Sequence, residues 1–354
     1  MSKFRFEEIA INSTEKKKPV ERDKYTYLGL EHLDPGTLKV SRFGSDVAPI
    51  GEKLVMKKGD VLFGKRRAYQ KKVAIAPFNG IFSAHGMVLR PKTEVIDSEF
   101  FPLFISSDYF LDAAIKISVG SLSPTINWKD LKNLEFELPD LETQRQLAKV
   151  LWALIDTIEN YKVLMTKTDE LVKSQFIELL NKTENKCIKK MSELVSYLPK
   201  SSMNAADGKE IGLYPFFTSG LEQNKFTDNY LYDDECLIIG NGGVANIQYY
   251  NGKFATGSHS FVTKSKIPTV RIRYLYSYFY SNMDILEEGF RGVGIKNIPK
   301  EYINGINIPV PSIEQQDNLI SLFEQSDKSK FHIRKLIQMR IEIWQKGGKI
   351  YANI

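Results

Sequence analysis

One short segment of the chain concentrates side chains that can bind anions. Gly64-Lys-Arg-Arg-Ala-Tyr-Gln-Lys-Lys72 contains five cations, one aromatic ring and one amide between two predicted strands. Lysine and arginine neutralise phosphates, and arginine or glutamine can also reach base edges in the major groove of DNA. A solvated connection between strands would have a similar composition. The nucleic-acid contacts that this segment predicts are Lys65, Arg66, Arg67, Tyr69, Gln70, Lys71 and Lys72.

A second segment offers amides in place of cations. Ile239-Gly-Asn-Gly-Gly-Val-Ala-Asn-Ile-Gln248 has no charged residue, but asparagine and glutamine pair well with adenine edges. It lacks the Lys-Ser/Thr of a phosphate-binding loop, so its glycines indicate a tight turn. The DNA contacts predicted here are Asn241, Asn246 and Gln248. Two glycine-containing loops add residues that would either contact phosphate or remain solvated: Ser121, Ser123, Arg291 and Lys296.

The sequence patterns contain no recognisable catalytic set. There is no Walker A loop, no Asn-Pro-Pro-aromatic stretch for amino-methyl transfer and no His/Cys cluster with metal-ligand spacing. Pro139-Asp-Leu-Glu142 has a faint resemblance to a nuclease motif, but no lysine follows at the required spacing. We interpret it as the start of a helix. The sequence therefore predicts a protein that performs no chemistry of its own and needs no cofactor or metal.

Composition gives weaker indications. The 354 residues carry 49 basic and 43 acidic side chains, a net charge of +6. This balance favours local basic patches on a mixed surface over a uniformly basic protein. Cys187 and Cys236 lie far apart and outside any disulfide or zinc spacing. Neither an apolar leader nor an 18-residue apolar run is evident, so we expect a cytoplasmic protein without membrane insertion.

The chain repeats itself at a constant offset. Gly120 and Gly292 lie 172 positions apart, and the same offset relates Pro139-x-x-Glu-x-Gln144 to Pro311-x-x-Glu-x-Gln316. Internal repetition of this kind indicates two like structural units. Each half ends in the same order, which is a glycine loop, a short strand, a proline and a long helical pattern. His85 and His259 occupy similar places in the two halves, where we expect packed or hydrogen-bonded side chains.

The two helical patterns cover 140–182 and 312–346. Asp140 is placed to cap the first, and Ser312-x-x-Gln315 forms a possible capping box for the second. We expect the second helix to stop at Gly347-Gly348.

Apolar residues spaced three and four apart predict a coiled-coil seam on each helix. The first seam comprises Leu151, Leu154, Ile158, Tyr161, Met165, Thr168, Val172, Gln175 and Leu179. The second is poorer, with Leu319, Phe323, Ile333, Ile337 and Trp344 interrupted by Ser326, Lys330 and Arg340. Each stripe must be covered, so we expect the helices to pair with each other as an antiparallel coiled coil. That pairing would give the duplication a pseudo-two-fold axis, which suits two separated half-sites on DNA.

The remaining segments, 1–139 and 183–311, are interpreted as mixed, β-rich domains, so the predicted fold class is α+β. A joint is expected at 181–190. Turns are predicted at Gly59-Asp60, Asn79-Gly80, Asn241-Gly242-Gly243 and Asn251-Gly252. Helices are predicted at Phe100 to Ser107 and Val270 to Ser281. The predicted strands are Val61–Phe63, Lys72–Ile75, Met87–Leu89, Leu134–Leu138, Leu237–Ile239, Phe261–Val262 and Ile306–Val310.

Three features resemble type I restriction-modification specificity subunits. They are Tyr27-Leu-Gly-Leu-Glu-His-Leu-Asp-Pro-Gly36, Gly59-Asp-Val-Leu-Phe-Gly-Lys-Arg-Arg-Ala-Tyr69 and the Pro-x-x-Glu-x-Gln helix start used twice. The similarity covers essentially the entire chain. It implies that 1–139 and 183–311 are target recognition domains and that 140–182 and 312–346 are spacer helices.

The resemblance also implies partners. A specificity subunit of this family binds a bipartite double-stranded DNA site and recruits two methyltransferase subunits, which restriction translocase-nuclease subunits join. It does not identify the residues that touch bases, so the DNA contacts given above depend on side-chain chemistry alone. A coiled-coil scaffold with protein-binding heads and an endonuclease are the alternatives. The scaffold would bind its partner without salt sensitivity, and the endonuclease would cleave DNA with a metal.

Overall fold

The computed structural model describes residues 1–220, 223–294 and 296–350, with side chains up to 339. The chain forms two compact units. Unit 1 comprises Met1–Tyr161 and the chain from Lys335 onward, and unit 2 is Lys162–Arg334. The boundary therefore falls inside both long helices.

Unit 1 contains two four-stranded sheets and one two-stranded sheet. One four-stranded sheet is antiparallel, in the order Ala10–Ser13, Met87–Pro91, Val61–Phe63 and Val73–Ile75. The other has the order Lys16–Lys17, Lys53–Met56, Gly80–Phe82 and Tyr27–Leu28, with its last pair parallel. The two-stranded sheet joins Ser2–Arg5 to Glu135–Leu138. The shorter helices of unit 1 are Phe6–Ile9, Phe100–Ser106, Asp108–Lys116 and Trp128–Leu131, with 3-10 turns at Glu21–Thr26, Leu30–His32 and Ala68–Gln70.

Unit 2 is built around one six-stranded sheet. Its order is Val195–Tyr197, Ser260–Ser265, Tyr232–Gly240, Ile247–Thr256, Tyr214–Phe217 and Lys225–Thr227. A two-stranded sheet joins Cys187–Lys190 to Asn307–Val310. The helices are Met191–Leu194, Ile272–Ser281, Asp284–Glu287 and Lys300–Gly305, with a 3-10 turn at Ala205–Asp207.

A central strand separates two hydrophobic cores in each unit. Val61 and Phe63 face one core of unit 1, whereas Leu62 between them faces another. Leu237 and Ile239 face one core of unit 2, and the adjacent Ile238 faces the second. Because side chains alternate across a strand, a strand buried on both faces is a continuous apolar run, which is why these strands were correctly predicted.

The duplication is visible in how each unit begins and ends. The first strand of each unit pairs antiparallel with the strand that precedes the long helix. One turn into that helix, a glutamine is almost fully buried, 1% exposed for Gln144 and 0% for Gln316. Each accepts a backbone N–H and donates to two backbone carbonyls of its own unit. The repeated sequence motif therefore attaches the helix to its globular domain.

The long helices are Leu141–Lys182, of 42 residues, and Ile313–Ile350, of 38 residues. Asp140 caps the first, since its Oδ1 accepts from the Thr143 N–H at 2.8 Å. The capping box of the second is present, with reciprocal bonds between Ser312 and Gln315 of 3.1 and 3.3 Å. Both start signals are confirmed.

The stop predicted at Gly347-Gly348 is wrong, because the helical backbone continues to Ile350. A glycine costs a helix about 1 kcal/mol relative to alanine but keeps its N–H and C=O for the helical hydrogen bonds. The Arg340 and Trp344 side chains lie outside the described residues.

The helices pair antiparallel within unit 2. Phe176 of the first helix contacts Phe323 of the second with ring centroids 5.5 Å apart. Seven residues earlier, Asp169 accepts from Lys330 Nζ at 2.8 Å. Tyr280 OH donates to the same carboxylate at 2.9 Å. From Asp169 to Phe176 the residue numbers of the first helix rise, while those of the contacting residues on the second helix fall from Lys330 to Phe323. The two helices therefore run in opposite directions.

Unit 1 contains its own part of the pairing. Leu151 and Leu154 line a cleft of about 490 Å³ together with Leu336 and Met339 of the second helix. Aliphatic side chains of both helices thus border the same cleft in this unit.

The predicted seam of the first helix is wrong at its end. Gln175 and Leu179 are exposed, whereas Phe176 and Leu180 are buried. An α-helix of 3.6 residues per turn drifts by about 20° per heptad against a strict seven-residue repeat. After three heptads the buried face has rotated around the helix. The buried residues that follow Val172 are therefore Phe176 and Leu180, which are spaced four apart.

Two predicted boundaries also differ from the structure. Asn251 and Gly252 lie inside a strand, opposite Glu235 and Asp234, and do not form a turn. The chain reverses between these long strands in the connection 241–246, which bends at Gly243 and Val244, and the second Asn-Gly lies within the ladder. The joint is shorter than expected, because the helix continues to Lys182 and a strand begins at Cys187. No described helix has the length and apolar character needed to span a membrane.

Candidate nucleic-acid interface

The basic segment forms a loop, here called the basic loop (64–72), that is joined to a neighbouring glycine loop. The Ile126 N–H donates to Lys65 O at 2.9 Å, and the Arg67 N–H donates to Pro124 O at 2.7 Å. We call 119–125 the first glycine loop. Reciprocal backbone bonds between Val119 and Thr125, of 3.0 and 2.9 Å, close it. The two loops form one platform at the surface of unit 1.

Two residues of the basic loop have left-handed backbone conformations. Arg67 has φ 53° and Lys71 has φ 50°, on either side of the 3-10 turn Ala68–Gln70. Such conformations cost about 1 kcal/mol or more for a residue with a Cβ, and they concentrate at functional sites. The loop is therefore held in a shape that sequence propensity alone does not favour.

Arg66 is an exposed cation held in a fixed orientation. Its Nε donates to Ser123 Oγ at 2.9 Å, and its Nη1 lies 3.4 Å from His85 Nε2. Partial burial lowers the pKa of His85, and the positive charges of Arg66 and Lys65 add to this effect. The platform thus favours a neutral histidine and would attract an anion.

Other cations of the loop are occupied within the protein. Lys71 Nζ bonds to Asp108 at 2.6 Å and Asp112 at 3.1 Å. Lys72 Nζ donates to Leu30 O at 2.7 Å. These two lysines therefore hold the loop in place and are less suited to bind phosphate.

The remaining predicted residues of this loop are accessible. Tyr69 is 56% exposed. Gln70 lines a cleft of about 450 Å³ with Arg66, Arg67 and others. Lys65 is half-buried, and burial together with the nearby charge of Lys16 lowers its pKa.

Unit 2 builds the same platform with different side chains. The amide loop (240–248) meets the second glycine loop (291–297), because Ile298 N donates to Asn241 O at 3.2 Å and Gly243 N donates to Lys296 O at 2.9 Å. Reciprocal bonds of 2.9 Å between Arg291 and Asn297 close the second glycine loop. The arrangement corresponds at the 172-residue offset to that around Val119, Thr125 and Ile126.

The amides of unit 2 differ in accessibility. Asn246 is 4% exposed and donates to Gly220 O. Gln248 donates to the same carbonyl at 3.4 Å but is only partly buried. Asn241 is half-buried, and its Oδ1 finds no hydrogen-bond partner among the described residues. Asn246 therefore supports the loop, Gln248 is partly accessible to a ligand, and Asn241 has a buried side-chain oxygen without a hydrogen-bond partner among the described residues.

Both glycine loops place polar residues at the surface. Ser121 is exposed and Ser123 binds Arg66. Arg291 and Lys296 are both exposed, and Arg291 Nη1 donates to Glu288 O at 2.6 Å. The structure thus brings the predicted residues of each half together on one platform.

Three exposed side chains of these platforms are not among the DNA contacts predicted from the sequence. His85 is exposed beside Arg66. Leu122 and Val293 are exposed aliphatic residues at the tips of the two glycine loops. The shared offset pointed to these loops, but no sequence signal showed that the aliphatic side chains are uncovered. The described part of the chain contains no group of three His, Cys, Asp or Glu residues arranged to hold a metal.

Comparison with known families matches this architecture twice. The type I restriction modification DNA specificity domain matches residues 8–166 and again residues 182–343. The chain belongs to the type I restriction-modification DNA specificity family. The duplication, the α+β fold class and the family resemblance inferred from the sequence are confirmed.

Named relatives agree with this assignment. The chain is 28% identical over 161 residues to the type I restriction enzyme EcoDI specificity subunit of Escherichia coli, a match covering 44% of this chain and 36% of that protein. It is 24% identical over 397 aligned positions to a Methanocaldococcus jannaschii protein named as the type I restriction enzyme MjaX specificity subunit, covering 93% and 90% of the two chains. The chain thus spans about a third of the EcoDI subunit and nine-tenths of the MjaX protein.

Solved structures show the same fold. The S subunit of a type I restriction-modification system from M. genitalium has a TM-score of 0.54 at 16% identity, covering 98% of this chain and 95% of that one. A chain from a structure on complex assembly and conformational transition of the type I R-M system has a TM-score of 0.55 at 17% identity, covering 98% of both.

Proposed function

We propose that this chain directs a type I restriction-modification complex to a bipartite double-stranded DNA target, each globular domain reading one half. The observation that carries this proposal is the platform built twice from the same backbone contacts but with different side chains. The basic loop of the first platform presents guanidinium groups, whereas the amide loop at the same place in the second presents glycines and amides. Two surfaces of different chemistry on a duplicated frame suit two half-sites of different sequence.

The proposed contacts divide by accessibility. Lys71, Lys72 and Asn246 support the loops. The residues proposed to face DNA are Lys65, Arg66, Arg67, Tyr69, Gln70, Ser121 and Ser123 in unit 1, and Asn241, Gln248, Arg291 and Lys296 in unit 2.

The helices are proposed to set the spacing of the half-sites and to dock two methyltransferase subunits, through which translocase-nuclease subunits join. Leu164 and Leu171 of the first helix are 49% and 56% exposed and, seven residues apart, share one helix face. Uncovered aliphatic side chains on a regular helix are typical of a protein interface. Under this proposal the chain itself carries out no catalysis and acts in the cytoplasm, where cellular DNA lies.

Docking can be tested by charge insertion on that face. Replacing Leu171 with glutamate should reduce co-purification of the methyltransferase without lowering thermal stability, because the side chain is already exposed. Thr166→Glu adds the same charge to an exposed polar position on another face of the same helix and is the matched control. Equal retention of the partner by both variants would contradict docking at this face.

DNA reading can be tested by selecting bound sequences from a random duplex library with the assembled complex. We expect Arg66→Ala to weaken binding about 10- to 100-fold, the range for loss of one bidentate base contact, and to relax base preference in one half-site only. Lys149→Ala, which removes an exposed cation from the first helix, should change neither half-site. Equal relaxation of both half-sites would refute the two-reader model, and binding insensitive to salt would favour a protein-binding scaffold.

A further inference from the structure

The tip of each glycine loop presents an uncovered aliphatic side chain. Leu122 is 93% exposed in the first loop and Val293 is 107% exposed, relative to a reference extended residue, in the second. Exposing apolar surface to water is unfavourable, and most surface aliphatic residues still rest partly on a neighbour. Two such tips at nearly equivalent places of a duplicated structure indicate a shared purpose.

Backbone hydrogen bonds close each loop at its base. In each, reciprocal backbone hydrogen bonds close a hairpin, Val119 with Thr125 and Arg291 with Asn297. The residue after the first bonded position is a glycine with positive φ, 108° at Gly120 and 131° at Gly292. The positive-φ glycine allows the chain to reverse at this point, and each tip side chain is uncovered by the described residues around it.

Cations stand beside each tip. Arg66 donates to Ser123, the residue next to Leu122, and the Arg67 backbone joins the same loop. In the second loop, Arg291 and Lys296 are themselves exposed on either side of Val293. An apolar tip flanked by cations matches a duplex, in which charged phosphates flank a stack of apolar base faces.

We propose that Leu122 and Val293 act as wedges, each pressing between adjacent base pairs of its half-site and unstacking one step. This inference deepens the proposed function and rests on it. Proteins that insert a leucine or another apolar side chain at a base step bend the duplex. Unstacking the step costs a few kcal/mol, and the additional contacts made with the bent DNA offset this cost. The wedge would make recognition depend on how easily that step unstacks, in addition to direct base contacts.

An apolar pocket on a partner protein is the competing occupant of these tips. The flanking guanidinium and ammonium groups favour DNA, since a pocket that accepts an aliphatic tip gains nothing from adjacent cations. Unstacking of a base step is expected when DNA occupies the tips and not when a protein pocket does.

The test uses the complex with its methyltransferase and duplexes that carry the selected target. 2-Aminopurine replaces one adenine at a time, except the methylated one, and its fluorescence rises several-fold where a base loses stacking. We expect the wild type to brighten one step in each half-site. Leu122→Ala should abolish the signal in one half-site, Val293→Ala in the other, and each should weaken binding roughly 15- to 60-fold, as expected for removing two or three buried carbon atoms.

Two controls accompany these variants. Ser121→Ala changes the neighbouring tip residue, and Ile188→Ala truncates an aliphatic side chain that is 62% exposed outside the loops. Both should keep the two signals. The wedge is overturned if the wild type binds selectively but brightens no step, or if Leu122→Ala and Val293→Ala leave the signals unchanged. Loss of methyltransferase from these variants with unchanged signals would assign the tips to a protein contact. Absence of selective binding by the wild type would instead refute the proposed function itself.

Discussion

Gln144 offers a sharp test of how each long helix is attached to its globular domain. Its Oε1 accepts the Asp97 N–H at 2.8 Å, and its Nε2 donates to Val95 O at 3.2 Å and Pro139 O at 2.8 Å. Gln144→Ala would leave one N–H and two carbonyl groups of half-buried residues without these partners. Each buried group left unsatisfied costs about 1–3 kcal/mol, and carbonyls tolerate the loss better than an N–H.

We therefore expect Gln144→Ala to lower the free energy of unfolding of unit 1 by roughly 3 kcal/mol. For a unit of this size that corresponds to a fall of about 6–12 °C in its melting temperature. Differential scanning calorimetry of the full chain measures it directly. Gln146→Ala is the matched control, because Gln146 lies on the same helix, is exposed and, among the described residues, has a side chain that bonds only to Glu142 at 3.3 Å.

Gln146→Ala should change stability by about 0.5 kcal/mol or less. Gln316→Ala should reproduce the Gln144 effect in unit 2, because its three bonds are equivalent. Equal melting temperatures for Gln144→Ala and Gln146→Ala would refute the reasoning.

Three further predictions concern titratable groups. Burial would raise the pKa of Asp169, but the hydrogen bonds from Lys330 and Tyr280 outweigh burial and lower this pKa below 3.8. The helix pairing in unit 2 should therefore lose stability as pH falls through that lowered pKa. Urea titrations of Asp169→Asn should show no such loss in acid, and a free energy of unfolding at neutral pH about 2 kcal/mol lower than that of the wild type. Burial raises the pKa of Cys236 to about 12, so a thiol reagent at pH 8 should label the exposed Cys187 rapidly and Cys236 only on unfolding; rapid labelling of both in the folded chain would contradict this burial. The pKa of His85 lies below 6.5 in the free protein, and DNA phosphates would raise it, so DNA affinity at fixed salt should rise as pH falls below 6.5; a slope that persists in His85→Asn would assign the effect elsewhere.

The central strands and helix starts were predictable because their causes are local. Val61-Leu62-Phe63 is an apolar run between turn residues, and it becomes a strand buried on both faces. Asp140 follows a proline and precedes a helical pattern, which is enough to predict its cap.

The chemistry of the candidate site was predictable, but its partners were not. Nothing near Lys71 in the sequence indicates that Asp108 and Asp112, about 40 residues away, will neutralise it. Asn246 is likewise buried, and its side chain donates a hydrogen bond to the backbone carbonyl of Gly220, 26 residues earlier. Long-range contacts decide which member of a polar segment faces solvent, and a single sequence does not encode them in a pattern.

The predicted seam of the first helix is wrong at its end because a small angular error accumulates along the helix. The three- and four-residue spacing identifies Leu151 and Ile158 correctly, and both are buried. Small angular drift over three heptads then exchanges Leu179 for Leu180 as the buried residue. The contact of Phe176 with Phe323 fixes the outcome, and this contact depends on the partner helix.

The most direct test of the DNA-specificity role is methylome sequencing of cells that express this chain with its methyltransferase. The comparison strain lacks this chain alone, and a third strain carries Arg66→Ala. The account predicts one bipartite methylated motif that disappears with the deletion and becomes degenerate in one half with Arg66→Ala. Persistence of every modified motif in the deletion strain would contradict the account.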